Sequence, residues 1–342
     1  MRFRTPEPLS ERLLEAVKDC LSGKGREPIS IEVVRSTKRH VSQVHQVRVC
    51  FRSEPAPVLY WVKLHSDNPG GALEEFAFLS NAREKFRSLP MLDVVTAVAY
   101  LDEFDALVTE HTSGPLLSSH VKRHANRISS LVTDQHSLQK HFHLCGVWLA
   151  TLHQPHESGA QYYPREDLLE YVDERLRRLL SEPDQASLYD RVKDFLERSL
   201  AETPSEDLVR VKTHGDYAPY NVLLRGDDLV VFDPSVGLAF GRLENYCARY
   251  EDVLHFYNWT SYMFGQIVSD GTRRELVRQF LEGYNQNAAF LVDPSSTAFR
   301  IFWLKHKLFD ALDTRSLQVT VLSSRNSRVS RFRNWFEQVT DN

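Results

Sequence analysis

The N-terminal part of the chain begins with apolar residues at helical spacing and then changes to strand-like runs. The pattern of residues 9–21 predicts a helix that is capped by Ser10 and stops at Gly23. Three runs rich in β-branched and aromatic side chains follow, at residues 29–35, 44–52 and 58–64. Polar or proline-containing turns separate these runs, so they predict three antiparallel strands.

A second helix and two more strand-like runs complete this part of the chain. The pattern of residues 71–87 predicts a helix. Its apolar positions are Leu73, Phe76, Phe78 and Leu79. Residues 93–100 and 105–110 predict two further strands. The first 110 residues therefore predict a small lobe in which a helix interrupts an antiparallel sheet.

Helical periodicity dominates the chain after residue 110. Helices are predicted at residues 137–153, 166–180 and 187–200, and over most of residues 250–342. The exception is an apolar hairpin at residues 221–233, NVLLR-GDD-LVVFD. We therefore expect an α+β fold with two domains, an N-terminal lobe at residues 1–110 and a larger helical lobe at residues 111–342. Ligands favour the cleft between two such lobes.

Composition and charge exclude several classes of protein. The chain has 342 residues, of which 42% are hydrophobic and 26% are charged, and its net charge is -4. This balance is typical of a globular protein and gives no basic field that would attract nucleic acid. The four cysteines form no CxxC pair, which favours reduced thiols in a cytoplasmic protein. No run of eighteen apolar residues occurs, so no membrane span is expected.

The chemistry of the chain is concentrated in residues 214–233, HGDYAPYNVLLRGDDLVVFD. Phosphoryl transfer needs one carboxylate that orients the attacking hydroxyl. It also needs a second carboxylate and an amide oxygen that hold Mg²⁺ against the nucleotide phosphates. Asp216 and Asn221 can face one point from a single loop, and a hairpin between Asn221 and Asp233 should return Asp233 to Asn221. The spacing thus predicts one candidate base and two candidate metal ligands at a single site.

The pattern His-Gly-Asp, four residues, Asn, an apolar hairpin and a second Asp resembles the aminoglycoside phosphotransferase family. That family is similar in fold to choline kinases and protein kinases, so the resemblance implies a bilobal protein kinase-like fold. It also implies that Asp216 is the catalytic base, that Asn221 and Asp233 bind Mg²⁺ at the catalytic centre, and that His214 braces the loop. The resemblance extends over roughly residues 30 to 256.

The same resemblance places the nucleotide in the N-terminal lobe. Lys63, in the third strand-like run, would neutralise the α- and β-phosphates of ATP or GTP. A glutamate on the following helix would orient this lysine. Glu75 is favoured over Glu74 because it stands four residues before Leu79, as in the family's pattern.

A hinge between the lobes is expected at LVTEHTSGPLL, which resembles the family's strand ending in Glu and the Gly that follows it. The resemblance implies that backbone groups of Glu110, His111 and Thr112 bind the edge of an adenine or guanine base. Gly114 would allow the chain to turn there.

The phosphate-covering loop should lie at residues 35–43, where Ser36, Thr37 or Ser42 would donate hydrogen bonds. This loop contains no glycine, so its close approach to a phosphate is sterically harder. The sequence therefore does not fix the affinity for the nucleotide. After the second catalytic Asp the chain continues with Pro234, where protein kinases have Phe-Gly. This difference argues against the switchable segment of a regulated protein kinase.

Two features follow the hairpin. Asp252 precedes an apolar helix and resembles the aspartate that supports the family's catalytic loop from beneath. The same helix carries an aromatic stripe that suits either core packing or a wall for a sugar ring. Its members are Phe256, Tyr257, Trp259, Tyr262 and Phe264.

These patterns predict an enzyme that transfers the γ-phosphoryl group of ATP or GTP, with Mg²⁺, to a hydroxyl of a small molecule. The acceptor is expected to be a sugar, a saccharide or an aminoglycoside-like compound. The charges that follow Asp233 are mixed, which does not favour a polycation. Two alternatives stay open, a choline/ethanolamine-type amino-alcohol kinase and a non-catalytic nucleotide-binding pseudokinase. The sequence also leaves open the choice of nucleotide and a weak homodimer.

Overall fold

The computed structural model of the protein describes residues 9–38, 42–65, 69–126, 135–154, 161–235, 246–264, 267–312 and 325–340. The chain enters the fold through helix α1 (Glu11–Ser22). The Ser10 side chain accepts a hydrogen bond from the Leu13 N–H at 3.2 Å, and Gly23 caps the other end, as predicted. The buried face of α1 packs on the sheet of the N-terminal lobe, which accounts for its helical spacing of apolar residues.

The N-terminal lobe contains the first six strands and helix α2 (Gly71–Phe86). The strands are β1 (Pro28–Lys38), β2 (Ser42–Phe51), β3 (Val58–His65), β4 (Leu92–Val94), β5 (Ala97–Leu101) and β6 (Ala106–Glu110). Among the described residues, five of them form an antiparallel sheet in the order β1-β2-β3-β6-β5. Val47 and Val49 alternate along β2 and share a core with Tyr60 and Val62 of β3, as expected for a sheet with one buried face.

The C-terminal lobe is mainly helical. Its helices are α3 (Leu117–His124), α4 (His136–Leu152), α5 (Arg165–Leu179), α6 (Ala186–Glu202), α7 (Tyr250–Met263), α8 (Asp270–Asn287), α9 (Thr297–Leu312) and α10 (Arg325–Thr340). Its short strands are β7 (Gln161–Tyr162), β8 (Val209–Lys212), β9 (Val222–Arg225), β10 (Asp228–Val231) and β11 (Tyr246–Ala248). The predicted bilobal kinase-like fold is thereby confirmed. None of the helices in the described ranges has the length and hydropathy that a bilayer-spanning segment requires.

The prediction of a single strand at residues 93–100 is wrong. The chain breaks after Val94, and only the second half, β5, joins the N-terminal sheet. Strand β4 instead pairs in parallel with β10, with Leu92 opposite Leu229 and Val94 opposite Val231. Residues 93–100 resemble one strand because both β4 and β5 contribute buried apolar side chains, although each belongs to a different sheet. The lobe boundary at residues 110 and 111 stays a prediction.

The predicted apolar face of α2 is correct at two of its positions. Phe78 and Leu79 are buried, and Phe76 is half-buried, but Leu73 is exposed. Leu73 lies near the start of the helix, where the neighbouring Ala72 and Glu75 face the interior instead.

A column of stacked aromatic rings joins the lobes behind the cleft. Phe86 of α2 stacks on Trp148 of α4 with ring centroids 4.9 Å apart, and Trp148 stacks on Tyr217 at 5.1 Å. Tyr217 stacks in turn on Phe256 of α7 at 5.1 Å, and Phe256 on Phe280 of α8 at 4.3 Å. Stacked aromatic pairs bury large apolar areas. The column therefore fixes the loop that carries Tyr217 relative to four helices, α2, α4, α7 and α8.

Candidate active site

The loop after β8 carries the His-Gly-Asp sequence, and a glycine is required at its centre. Gly215 has a φ of 80°, in the left-handed region that other residues rarely adopt. A Cβ at this position would lie 2.5 Å from the carbonyl oxygen of Ser235. The Ser235 N–H donates to the His214 carbonyl at 2.9 Å, so the loop and the end of the hairpin are held together.

Asp252, at the start of α7, supports this loop from beneath. Its carboxylate accepts the backbone N–H groups of His214 at 2.6 Å and Gly215 at 2.8 Å. The His153 imidazole lies 3.2 Å from the same carboxylate. Burial alone would raise the pKa of Asp252, but the His153 contact and the other neighbouring donors lower it. Asp252 is therefore a buried carboxylate that fixes the backbone next to Asp216.

Asp216 lies at the mouth of the loop, with its side chain 31% exposed. Its Oδ1 atom accepts hydrogen bonds from the Tyr220 hydroxyl and, at 2.9 Å, from the His255 imidazole. Its Oδ2 atom accepts a hydrogen bond from the Asn221 amide at 2.9 Å. The carboxylate is thus both held by the chain and open to an incoming group.

The hairpin returns Asp233 to the neighbourhood of Asn221. The Phe232 N–H donates to the Asn221 carbonyl at 3.1 Å, which joins the two ends of the hairpin. The Asn221 amide nitrogen is turned to Asp216, where it also donates to the backbone carbonyl at 2.9 Å. Asp233 has a φ of 59°, a left-handed conformation that is costly for a residue other than glycine and that clusters at functional sites.

Lys63 of β3 joins the two lobes through ion pairs. Its ammonium lies 2.6 Å from the Glu75 carboxylate on α2 and 2.5 Å from the Asp233 carboxylate at the end of the hairpin. His65 contacts the same Glu75 carboxylate at 3.0 Å. Burial opposes the charge on Lys63, but the two carboxylates raise its pKa above the ordinary value. The geometry selects Glu75, not Glu74, as the partner of this lysine.

The predicted hinge residues begin with Glu110, the last residue of β6, and the backbone N–H groups of Glu110 and His111 are already hydrogen-bonded. The Glu110 N–H donates to the Thr96 carbonyl at 2.9 Å, and the His111 N–H donates to the Leu59 carbonyl at 3.0 Å. The His111 side chain accepts a hydrogen bond from the indole of Trp61 at 3.0 Å. Thr112, the third predicted contact residue, follows the two residues that make these hydrogen bonds.

Gly114 lets the chain turn out of the hinge, as predicted. It has a φ of 148°, and a Cβ there would collide with the Leu224 carbonyl of β9. The Leu224 N–H donates to the Pro115 carbonyl at 2.9 Å, so the linker packs directly on the hairpin of residues 221–233. A side chain at Gly114 would separate these two segments.

The predicted phosphate-covering loop at residues 35–43 is shorter than expected. Strand β1 continues to Lys38 and β2 begins at Ser42, with Lys38 paired opposite Gln43. Ser42 is buried opposite His65, so the prediction of an open loop at that residue is wrong. Cross-strand pairing of polar residues extends the hairpin further than the lack of apolar residues suggested. Residues 39–41 lie outside the described ranges.

The sequence did not single out His255 and Tyr220, although both touch Asp216. His255 is three residues after Asp252, so the two side chains lie on neighbouring positions of α7 and face the same loop. That spacing was the available signal. The aromatic residues of α7 serve two different roles. Phe256 and Phe264 are buried in the core, whereas Trp259 packs edge-on against Tyr220, with ring centroids 4.7 Å apart. The side chain of Tyr262 lies outside the described residues.

The fold resembles solved structures of phosphotransferases at low sequence identity. An ADP-bound aminoglycoside phosphotransferase is 14% identical, with 95% of this chain and 97% of that chain covered and a TM-score of 0.52. A glucosamine kinase bound to glucosamine, ADP and inorganic phosphate is 14% identical, with 91% and 83% covered and a TM-score of 0.60. A choline/ethanolamine kinase family protein from Mesorhizobium loti is 12% identical, with 91% and 88% covered and a TM-score of 0.52. These similarities establish the fold alone.

Sequence comparison identifies the family. No curated protein sequence gives a significant match to the chain. A family model for phosphotransferase enzymes matches residues 47–290, which is most of the chain. The matched region includes Lys63, Glu75, the catalytic loop and the hairpin. The chain therefore belongs to the phosphotransferase enzyme family.

Proposed function

We propose that this protein transfers the γ-phosphoryl group of ATP or GTP to a hydroxyl group of a small molecule. The observation that carries the proposal is the meeting of groups from two distant segments of the chain, residues 63–75 and 216–233. Lys63 contacts Glu75 and Asp233, and the Asn221 amide contacts the Asp216 carboxylate. Phosphoryl transfer requires these elements together: a cation for the phosphates, oxygen ligands for a metal and a carboxylate for the hydroxyl.

The residues at the end of the hairpin fit a magnesium ion. Asp233 offers carboxylate oxygens, and Asn221 retains an amide oxygen because its nitrogen is turned to Asp216. Mg²⁺ prefers hard oxygen ligands and is commonly held by one or two carboxylates together with substrate phosphates. Within the described ranges, no group of three or more His, Cys, Asp and Glu residues could form a separate all-protein metal site. A bound ion would neutralise charge on the phosphates.

The nucleotide would lie between the hinge and Lys63. Thr112 follows the ladder bonds of Glu110 and His111, and we propose the backbone of these three residues as the contact for the base edge. Lys63 would exchange its bond to Asp233 for the phosphates, while Glu75 keeps it oriented. Ser42 is buried at the start of β2, so any phosphate contact from that strand would come from its backbone.

Asp216 is the group that would orient the acceptor hydroxyl and accept its proton. Its bonds to Tyr220, Asn221 and His255 hold the carboxylate at the mouth of the cleft, where it is partly exposed. The rest of the catalysis would come from positioning, since phosphoryl transfer demands little covalent chemistry from the protein. This role distinguishes a working kinase from a protein that only binds nucleotides.

We propose a sugar-like acceptor rather than a polycationic one. In the described part of the chain, the carboxylates around the base already face cations or imidazoles of the protein itself. These pairs are Asp216 with His255, Asp252 with His153, Glu251 with Lys305 and Asp310 with Lys307. An aromatic pair, Tyr220 and Trp259, stands beside them, and aromatic faces suit the apolar faces of sugar rings.

The proposal is tested by detecting a phosphorylated product. Wild-type protein is incubated with Mg²⁺ and ATP or GTP and with a panel of neutral sugars, amino sugars, aminoglycosides and amino alcohols, and products are read by mass spectrometry and ³¹P NMR. We expect one neutral or weakly charged sugar to gain a phosphoryl group with wild type but not with Asp216→Asn. Nucleotide binding without product on any acceptor would contradict the proposal and favour a pseudokinase.

A further inference from the structure

The hydrogen bonds of Asp216 distinguish its two oxygens. Oδ1 accepts from the Tyr220 hydroxyl and from Nε2 of His255 at 2.9 Å, whereas Oδ2 accepts only from the Asn221 amide among the described residues. A carboxylate oxygen offers about two lone-pair positions for hydrogen bonds. Oδ1 is therefore filled by the chain, and Oδ2 keeps a position for a further donor.

His255 is placed to hold this arrangement. It is half-buried on α7, a helix whose first turn is bonded to the catalytic loop through Asp252. The imidazole lies 2.9 Å from Oδ1 of Asp216 and 3.4 Å from the Tyr220 hydroxyl. The bonds of Asp252 to the backbone of the loop fix α7 against the loop. They thereby also fix the position of His255 relative to Asp216.

The charges around His255 favour its imidazolium form. Asp216 and Tyr220 face it from the loop, Asp252 lies on its own helix, and Asp310 and His306 face it from α9. Burial opposes the charge, but the bond to Asp216 and the charges of Asp216, Asp252 and Asp310 raise the pKa of His255 above its ordinary value. A charged donor makes a stronger hydrogen bond to a carboxylate than a neutral one does.

We propose that His255 is a positioning residue that holds Oδ1 of Asp216 so that Oδ2 meets the acceptor hydroxyl. This inference rests on the proposed function. In the transfer, the acceptor O–H bond breaks and its proton passes to Oδ2 of Asp216, while the hydroxyl oxygen forms a bond to the γ-phosphorus. The bond from the γ-phosphorus to the bridging oxygen breaks, and the nucleoside diphosphate leaves with that electron pair. His255 keeps its proton throughout.

The catalytic arm of the test compares three variants with wild type, using the acceptor found in the panel. We expect His255→Ala to lower kcat by about 10- to 100-fold, as is typical when the partner of a catalytic group is removed, with the KM for nucleotide changed by less than about two-fold. His255→Gln retains an amide donor, so it should recover part of kcat. His143→Gln is the matched control and should behave as wild type, since this half-buried histidine of α4 is not among the described partners of Asp216.

The second arm needs no turnover. The His255 imidazole is titrated by NMR, with its signals assigned by their loss in His255→Gln. In Asp216→Asn the burial of the ring is no longer opposed by the carboxylate, so the titration midpoint should fall by about one pH unit or more. An unchanged midpoint would disprove the ion pair, and an unchanged kcat in His255→Ala would disprove the positioning role alone. Absence of turnover in wild type on every acceptor would overturn the proposed function as well.

Discussion

The two sides of the candidate site are both held by ion pairs, but their charges are balanced differently. On the nucleotide side, one lysine, Lys63, faces the carboxylates of Glu75 and Asp233 at 2.6 and 2.5 Å. On the acceptor side, one carboxylate, Asp216, faces one imidazole, His255, at 2.9 Å. On the nucleotide side, two carboxylates therefore share one lysine. On the acceptor side, one carboxylate faces one imidazole.

This difference indicates what each side needs from its ligand. In the proposed function, the nucleotide side would reach charge balance if a metal ion were held by Asp233 and Lys63 contacted the phosphates instead. The acceptor side is already balanced, so an uncharged hydroxyl can bind without a compensating ion. Preorganised groups of this kind lower the cost of reaching the transition state. Changes on the two sides should therefore have separable effects on nucleotide binding and on turnover.

The largest expected effect comes from Asp216→Asn. The amide preserves the size of the side chain but removes the proton acceptor, so we expect kcat to fall by about 10²- to 10⁴-fold. Nucleotide affinity, measured by calorimetry with Mg²⁺, should change by less than about two-fold because Lys63 and Asp233 are untouched. Asp190→Asn, at an exposed position of α6, is the control. A matching loss of nucleotide affinity would show that the two sides are not separable.

The second effect concerns Lys63→Met. Loss of the ammonium leaves the buried Glu75 and the Asp233 carboxylate without their common partner. We expect the KM for Mg·nucleotide to rise at least about 10-fold and kcat to fall by about 10²-fold, since the charge that stabilises the phosphates is gone. In a thermal-shift titration, stabilisation by Mg·nucleotide should shrink in Lys63→Met and persist in His143→Gln. Equal stabilisation in both variants would remove Lys63 from the nucleotide side.

The third prediction extends the comparison to the layer behind the acceptor side. The Glu251 carboxylate of α7 is bonded to Lys305 and lies 2.9 Å from the His306 imidazole of α9, and all three side chains are buried. Glu251→Gln leaves a buried ammonium without its carboxylate, so we expect the free energy of unfolding to fall by about 3–5 kcal/mol. Urea denaturation measures this loss. The double variant Glu251→Leu with Lys305→Met removes both charges and should lose less than Glu251→Gln alone.

The smallest effect concerns Lys307 and Asp310, the most widely separated of the four pairs around the candidate base. Lys307 is mostly buried on α9 and its ammonium lies 3.9 Å from Asp310, and burial lowers its pKa from 10.5 to about 8. The folded state then binds fewer protons than the unfolded state between pH 8 and 10.5, so this lysine makes stability rise with pH in that window. Lys307→Met should be more stable than wild type at pH 7, on the order of 2–3 kcal/mol.

The pH dependence of that gain provides the control. The difference between Lys307→Met and wild type should shrink as the pH rises from 8 through 10.5, because above 10.5 the wild-type lysine is neutral in both states. Lys122→Met changes an exposed lysine of α3 and should show no such dependence. A constant difference across the range would mean that packing and not charge decides the effect.

The sequence predicted the helices and strands of the fold better than it predicted which strands pair with each other. Helices α1, α2 and α4 and the hairpin follow from periodicity and capping residues, which are local signals. The split between β4 and β5 does not, because the run DVVTAVAY has no Gly or Pro to mark a break and its two halves pair with strands far apart in the chain. Pairing between distant strands leaves no local trace.

The same limit applies to the site. Asp216, Asn221 and Asp233 could be predicted because one loop and one hairpin carry them. Glu75 could be chosen by its spacing on α2, and the structure places it on Lys63. His255 was not singled out, since its spacing of three residues from Asp252 is a weak signal and its contact with Asp216 forms only when the helix is docked against the loop. Ser42 was placed in a loop because polar strand pairs resemble loops in composition.

The pairing of β4 with β10 affects how the protein is made. During synthesis from the N-terminus, β4 emerges long before its partner, and helices α3 to α6 have to follow before β10 exists. Until then the β4 edge is unpaired and Lys63 lacks Asp233. Exposed strand edges invite association between nascent chains. A ribosome paused before the hairpin would therefore hold a chain prone to aggregation, and completion of residues 222–231 is the step that closes this edge.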